Sequence, residues 1–313
     1  MTALLDVVLL LSSFLLLWKG ADWFVESAAK LGRAVGMSEL VIGLTIVAFG
    51  TSAPEFAVTV AAAIAGSSQI AVANVVGSNI FNLGIILGGC ALFSALEARR
   101  AAIRRDGPLL VAVALAVALA LADGRLTRFE GGLLFTGLMA YLLLLWRDRQ
   151  PLEEEIPTGP PTWASGVLLV VGLGAVVLGG RLLVGSATDL ARMLGVPEWL
   201  IGLTIVAAGT SASELATSIV ASRRGRHAIV VGNLVGSDIF NMLGVLGVAA
   251  LARPIHLDSG QGYALPLAGL VVTCLLVAIF MRTGNRISRR EGLILVLVGL
   301  ARWAEAFVAS WSG

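Results

Sequence analysis

Two glutamates set in the middle of long apolar stretches need a chemical explanation more than any other residues in this chain. Thr51, Glu55 and Thr59 stand at i, i+4 and i+8, and Thr210, Glu214 and Ser218 do the same, which lines up three oxygen-bearing side chains on one helix face. Ser78 with Asn82, and Ser237 with Asn241, repeat the four-residue step further along. A carboxylate at the centre of a membrane helix costs at least ~2.5 kcal/mol on insertion scales, so it faces a partner or a cavity. No Lys or Arg stands at matching depth in these stretches, and the counter-charge the pattern requires is a bound cation.

The neighbouring ligand types are carboxylate, hydroxyl and amide, with no histidine or cysteine among them. Hard cations such as Ca²⁺ and Na⁺ take oxygen ligands, whereas zinc or copper draws imidazole or thiolate. Two glutamates balance one Ca²⁺, and the same oxygens could hold Na⁺, which is the competition that antiport needs. Pro54 cannot donate to the carbonyl of Gly50, so the helix should break just before Glu55. Irregular backbone at that depth is tolerated where it lines a cavity. Close packing of small residues would account for the Gly-Thr-Ser runs, but not for the glutamates.

These residues are written twice. IGLTIVAFGTSAPE from Ile42 and IGLTIVAAGTSASE from Ile201 agree at 12 of 14 positions, and NVVGSNIFN from Asn74 answers NLVGSDIFN from Asn233. One offset of 159 residues carries Glu55 onto Glu214, Ser78 onto Ser237 and Asn82 onto Asn241.

The elements that must position them are membrane helices. Of the 313 residues 58% are apolar and 13% charged, and the mean hydropathy is +0.92, so lipid is the solvent. About 20 apolar residues cross a ~30 Å hydrocarbon core. Ten stretches approach that length, over 4–29, 38–66, 69–96, 107–123, 129–146, 163–190, 198–222, 227–251, 262–281 and 290–311. The N-terminus lacks a basic leader and a cleavage site, so the first stretch should remain as a helix. Cys90 and Cys274 lie inside apolar stretches and read as packed thiols. Lys19, Asp22 and Glu26 read as a local ion pair with snorkelling ends.

The joins carry turn chemistry, as at Gly66-Ser67-Ser68, Asp123-Gly124-Arg125, Gly195-Val196-Pro197 and Asp258-Ser259-Gly260. The one longer join is acidic and proline-rich, so the expected organisation is an all-α integral membrane protein in three parts. Residues 1–146 form a first five-helix repeat, 147–162 a cytoplasmic linker and 163–313 a second five-helix repeat.

Lys30, Arg33, Arg99, Arg100, Arg104, Arg105, Arg147, Arg149, Arg223, Arg224, Arg226, Arg282, Arg286, Arg289 and Arg290 fall in the odd-numbered joins. Only Arg125, Arg128, Arg192 and Arg253 fall in the even ones. Cytoplasmic joins retain basic residues, which puts both termini outside the cytoplasm, in a cell (inner) membrane. Five helices is an odd number, so the second copy enters the membrane from the opposite side. Such an inverted repeat places substrate sites at the midplane.

GTSAPE with Asn74-x-x-Gly77-Ser78-Asn79-x-x-Asn82, repeated as GTSASE with Gly232-Asn233-x-x-Gly236-Ser237-Asp238-x-x-Asn241, resembles the paired alpha-repeats of the calcium/cation antiporter superfamily, and most closely the prokaryotic sodium/calcium exchangers. The resemblance implies an alternating-access antiporter with four cation positions. Its calcium site would fall on Glu55 and Glu214 with the carbonyls of Thr51 and Thr210. An inner sodium site would use the Ala48 carbonyl, Thr51, Ser52 and Ser237. An outer one would use the Ala207 carbonyl, Thr210, Ser211 and Ser78, and a middle position would lie between Asn82 and Asn241.

Two departures stand out. Ser213 replaces a frequent proline, so the second helix break should rest on Gly209 alone and be softer. Asn241 stands where several relatives, potassium-dependent ones included, have aspartate. Asp238, three residues earlier, is expected on another side of the helix, and a missing carboxylate argues against potassium dependence. Proton-coupled members read G-N-x-x-E, whereas this chain has Gly77 and Gly236 there.

The expected function is exchange of Na⁺ for Ca²⁺, with no cofactor, the two ions as cargo and the lipid bilayer as surroundings. A Ca²⁺/H⁺ antiporter and a passive cation channel are the alternatives. Nothing marks a nucleic-acid partner, and the pattern sets no oligomeric state. No HExxH, GxSxG or membrane-embedded histidine supports an enzyme.

Overall fold

The computed structural model describes residues 3–147, 160–195, 207–257 and 263–309. In chain order the helices are α1 (Ala3–Ala34), α2 (Glu39–Thr51), α3 (Ala53–Ala65), α4 (Ser68–Phe93), α5 (Gly107–Ala120) and α6 (Arg128–Arg147). They continue as α7 (Trp163–Met193), α8 (Ala207–Thr210), α9 (Ala212–Arg223), α10 (His227–Ala252), α11 (Ala264–Arg282) and α12 (Arg289–Ala309). Among the described residues six helices, α1, α4, α6, α7, α10 and α11, are long and apolar enough to cross a bilayer. The α2–α3 pair, bent by 50°, makes a seventh if it counts as one span.

The expected ten stretches are therefore only partly visible as long helices. α5 is preceded without a break by the π-helical Ala102–Asp106, so that helix is long enough but carries Arg104, Arg105 and Asp106 along its first turns. α12 is 21 residues long, opens on Arg289, Arg290 and Glu291 ahead of its apolar run and carries Arg302 further on. The start of the expected 198–222 stretch, most of the 147–162 linker, and the turns at Val196-Pro197 and Asp258-Ser259-Gly260 lie outside the described residues.

Burial separates the helices into two classes. The apolar windows of α4 and α10 are 72% and 89% buried, against 22% to 39% for α1, α6, α7 and α11. The first two form the centre, while the others turn side chains such as Leu15, Leu133, Val170 and Leu275 outward. In lipid, association is driven by close van der Waals packing and not by water exclusion, and glycines let the centre close. A Cβ on Gly236 of α10 would stand 2.7 Å from Leu44 Cα on α2, and one on Gly43 would stand 2.7 Å from the Ile229 carbonyl. Gly88 of α4 meets Gly292 of α12, and Gly131 of α6 meets Gly247 of α10, in the same way. Cys90 and Cys274 are buried free thiols, as their apolar settings suggest.

Two miniature sheets tie the halves together. β1 (Leu96–Glu97) pairs antiparallel with β4 (Arg286–Ile287), and β2 (Arg125–Leu126) pairs with β3 (Ile255–His256). The 159-residue offset carries β1 onto β3, so each half lends one strand to each sheet. Matching caps follow both sheets. The Thr127 amide donates to Glu130 Oε2 at 2.8 Å before α6, and the Ser288 amide donates to Glu291 Oε2 at 2.7 Å before α12.

The ion pairs of α1 are only in part local, since Asp22 and Glu26 pair mainly across the fold and Lys19 is not their partner, contrary to the reading of Lys19, Asp22 and Glu26. Asp22 and Glu26 both take the Arg224 guanidinium from the α9–α10 join, and Glu26 also meets Lys30 at 3.3 Å. Two residues on, Arg226 is 3% exposed and pairs with Glu39, which also holds Arg33 at 2.7 Å. The cause is geometric: the turn at Gly225 brings these arginines down onto the ends of α1 and α2. Removing one partner of a buried pair costs ~3–5 kcal/mol. Arg33 remains to offset part of that, so Arg226→Met is expected to destabilise by about 2–3 kcal/mol. A thermal midpoint in detergent unchanged from the wild type would contradict this.

Candidate functional site

The site is built where two helices break at equivalent residues. α2 ends at Thr51 and α3 begins at Ala53, with Ser52 between them at φ −79°, ψ 7°. α8 ends at Thr210 and α9 begins at Ala212, with Ser211 between them at φ −86°, ψ 13°. The first break has Pro54 in its new first turn and the second does not, yet Ser52 and Ser211 take nearly the same backbone angles, so the second break forms without proline. Gly209 helps, since a Cβ there would fall 1.9 Å from Val184 Cγ2. Each new helix carries its glutamate in the first turn, where the positive end of the helix dipole favours a carboxylate.

Glu55 and Glu214 are each 0% exposed, and their contacts are reciprocal. Ser211 Oγ donates to Glu55 Oε1 at 3.3 Å, and Ser52 Oγ donates to Glu214 Oε1 at 3.2 Å. Ser213 breaks the symmetry. Its hydroxyl lies 2.8 Å from Glu214 Oε2 and 2.8 Å from the Thr51 carbonyl, and its single proton serves one of them at a time. Pro54 offers Glu55 no such hydroxyl, and Glu55 Oε2 is buried without a partner.

Flanking contacts brace the pair. Asn74 Nδ2 donates to Thr59 Oγ1 at 2.9 Å, clamping α4 to α3, and Asn233 Nδ2 donates to Ser218 Oγ at 3.0 Å, clamping α10 to α9. These engaged hydroxyls are the far ends of the two sequence stripes. Thr51 Oγ1 lies 3.1 Å from Asn233 Oδ1, and Ser237 Oγ reaches the Ala48 carbonyl at 3.4 Å. Thr51, Ser52, Ala48 and Ser237 thus come together. On the other side Ser78 Oγ bonds back to the Val75 carbonyl of its own helix at 3.2 Å. Thr210 and Ala207 lie on α8, the short helix that ends at the second break.

Where α4 crosses α10 a second polar cluster forms, and it corrects the placement of Asp238. Three residues is nearly one helical turn, so Asp238 shares its side of α10 with Asn241. Asn82 Nδ2 donates to Asp238 Oδ1 at 3.1 Å, Asn79 Nδ2 to the Asp238 carbonyl at 3.2 Å, and Asn241 Nδ2 to Asn79 Oδ1 at 3.0 Å. Asn82 and Asn241 lie at the start of widened π-helical stretches, as the second residue of Phe81–Leu87 and the first of Asn241–Val245, a feature frequent at functional sites. A carboxylate is therefore present at this crossing, contrary to the expectation drawn from Asn241. Asn79 and Asp238 carried a sequence signal, since they match at the same 159-residue offset.

Buried polar groups are normally paired, and each orphan calls for a reason. Glu55 Oε2, Asp238 Oδ2, Asn82 Oδ1 and Asn241 Oδ1 are all buried acceptors without donors. Four oxygens short of a positive partner, one at the first helix break and three at the α4–α10 crossing, suit a dehydrated hard cation. Among the described residues no three His, Cys, Asp or Glu side chains form one metal cluster, so any ion held here would also draw on hydroxyl, amide and carbonyl oxygens.

Apolar helices around a buried, oxygen-lined centre define a multi-pass membrane protein. A family model described as sodium/calcium exchanger protein matches residues 5–147 and 164–298, and the chain belongs to that family. It is 31% identical to the sodium/calcium exchanger MaX1 of Methanosarcina acetivorans, over 95% of this chain and 97% of that one. It is 36% identical to the inner membrane protein YrbG of Escherichia coli K12, over 82% of each. The solved sodium-calcium exchanger NCX_Mj, soaked with 10 mM Na⁺ and no Ca²⁺, superposes with a TM-score of 0.86 at 30% identity, covering 97% of this chain and 99% of that one.

Proposed function

We propose that this protein exchanges Na⁺ for Ca²⁺ across the membrane by alternating access, with no catalytic step. The observation that carries the reading is the reciprocal pair of helix breaks, each Ser hydroxyl reaching the other half's buried glutamate. Calcium would sit between Glu55 and Glu214 with the Thr51 and Thr210 carbonyls. Sodium would use Ala48, Thr51, Ser52 and Ser237 on one side, which the Ser237–Ala48 approach supports. On the other side it would use Ala207, Thr210, Ser211 and Ser78, with the middle position at Asn82 and Asn241.

The architecture that fits is ten spans in two inverted five-helix repeats, 1–146 and 163–313, with 147–162 as a cytoplasmic linker. Strand pairing supports it: β1·β4 joins two of the arginine-rich connections, and β2·β3 joins two of the arginine-poor ones. The termini would then lie outside the cytoplasm, in the cell membrane.

Proteoliposomes loaded with Na⁺ should accumulate calcium when diluted into sodium-free medium. Uptake driven by a pH gradient and not by a sodium gradient would hand the assignment to Ca²⁺/H⁺ antiport. Uptake that needs no counter-ion would mark a channel.

A further inference from the structure

The two halves differ in how their glutamate-bearing helices are covered. The 159-residue offset carries α1 onto α7 and α3 onto α9, so α1 against α9 and α7 against α3 are equivalent contacts. α1 packs along α9, whereas α7 makes no comparable contact with α3. Burial follows the same division. Ala212, Thr217 and Val220 of α9 are buried, Thr217 at 0% exposure, while their equivalents Ala53, Val58 and Ala61 of α3 are exposed, Val58 by 41%. Close glycine contacts bind other helices into units. A Cβ on Gly20 would stand 2.8 Å from the Gly172 carbonyl, joining α1 to α7, and one on Gly232 would stand 2.6 Å from the Leu40 carbonyl, joining α10 to α2. Between α1 and the α9–α10 end the ties are charged. Arg223 lies 4.8 Å over the Trp18 ring, and Arg224 pairs with Asp22 at 2.5 Å and with Glu26. Arg224 and Asp22 are 32% and 33% exposed, and with Glu26 they border a cavity of about 130 Å³. Arg226 and Glu39 next to them are only 3% and 4% exposed. A buried pair is costly to part, whereas a partly exposed one exchanges its partner for water at little cost, so the Arg224 contacts are the ones that can open and close.

We infer that Arg224, held by Asp22 and Glu26, is a latch that keeps α1 closed over α9 on the cytoplasmic side, and that the outer side has no equivalent. This rests on the alternating-access reading and the orientation given above. The offset puts Arg181 and Gly185 on α7 where α1 has Asp22 and Glu26, and Ala65 and Ser67 where the α9–α10 turn has Arg224 and Arg226. No acid therefore faces a base across α7 and α3. Ions reach the site from the cytoplasm only once α1 has left α9, so the latch holds the resting protein open outward and sets the fraction that opens inward. Apparent affinity at a face scales with the fraction of protein open to that face. Releasing the latch should then strengthen binding at the cytoplasmic face without strengthening it at the outer one.

The experiment uses Na⁺-loaded membrane vesicles of both orientations. Right-side-out vesicles take up calcium from the outer face and inside-out vesicles from the cytoplasmic face. In Arg224→Gln the half-saturating calcium concentration should fall about fivefold at the cytoplasmic face, the factor a partly exposed ion pair is worth. At the outer face it should not fall. Arg224→Lys keeps the charge and should match the wild type at both faces. Partly exposed charges are screened by salt, so choline chloride at the cytoplasmic face should bring the wild-type and Arg224→Gln values together.

If the wild type shows no sodium-driven uptake, the exchange reading fails and the latch falls with it. If the wild type exchanges while Arg224→Gln leaves the cytoplasmic value unmoved, or shifts both faces in the same direction, only the latch is overturned. Should Arg224→Gln not fold, Asp22→Asn, which removes one of the two carboxylates, is read in the same way. Loss of folded protein in both also overturns the inference, because Arg224 would then hold the fold together and not a gate.

Discussion

Glu55→Gln and Glu214→Gln are each expected to abolish sodium-driven calcium uptake. Both side chains are fully buried, and glutamine keeps the shape and one acceptor while removing a charge from a site that must hold a dication. Leaving one partner of a buried charge pair uncompensated costs ~3–5 kcal/mol, and each ~1.4 kcal/mol is tenfold in affinity. Calcium binding should therefore weaken by a factor of hundreds to thousands. The two variants should fold, because the amide oxygen that glutamine retains can still accept a hydrogen bond. In Glu214→Gln the amide oxygen in place of Oε1 accepts from Ser52, 3.2 Å away, while the amide nitrogen in place of Oε2 donates to Ser213 Oγ, whose own proton goes to the Thr51 carbonyl. In Glu55→Gln the donor is Ser211, 3.3 Å from Glu55. The check is calcium binding by titration calorimetry beside uptake, with elution profile and thermal midpoint as fold controls. A well-folded variant binding calcium within tenfold of the wild type would remove that glutamate from the site.

The pieces of the site that were legible in the sequence are those whose meaning is local. The 159-residue duplication, the buried glutamates and the break before Glu55 follow from residue type and spacing, because Gly50 and Pro54 act on their own helix. Asp238 was misplaced because its role depends on the crossing of α4 and α10. Its partners Asn79 and Asn82 lie 159 and 156 residues away in the chain. Ser213 was read as a lost proline, a loss of stiffness, whereas it adds a hydroxyl between Glu214 and the Thr51 carbonyl of the other half. The break at Ser211 matches that at Ser52 without proline. Similarly, Arg224 and Arg226 looked like ordinary membrane-edge charges, and only the packing of the α9–α10 turn onto α1 and α2 makes them partners of Asp22, Glu26 and Glu39.

Gly236→Ala should be a strongly damaging single methyl addition beside the site. Its Cβ would lie 2.7 Å from Leu44 Cα, 2.8 Å from the Leu44 carbonyl and 3.0 Å from Ala48 Cβ. Two of those three atoms are backbone of α2, which cannot rotate aside as a side chain would, so α2 and α10 must separate. Overpacking of this kind costs typically ~1–3 kcal/mol and occasionally more, and the absence of any flexible neighbour puts this case at the upper end. The next residue, Ser237, reaches the Ala48 carbonyl at 3.4 Å, so the same separation pulls apart two of the proposed sodium ligands. Protein that still folds should need several times more sodium to drive calcium uptake. Gly132→Ala is the matched control, because the nearest atom to its Cβ is Leu251 Cδ2 at 3.8 Å, an ordinary contact. There alanine should leave the midpoint unchanged or raise it slightly, since glycine inside a helix is disfavoured by roughly 0.5–1 kcal/mol relative to alanine. Thermal midpoints of the two variants, with uptake measured against sodium concentration, separate a specific α2–α10 contact from a general intolerance of added volume. If Gly236→Ala matches Gly132→Ala in both, the close approach of α2 and α10 is not what holds Ala48 and Ser237 together.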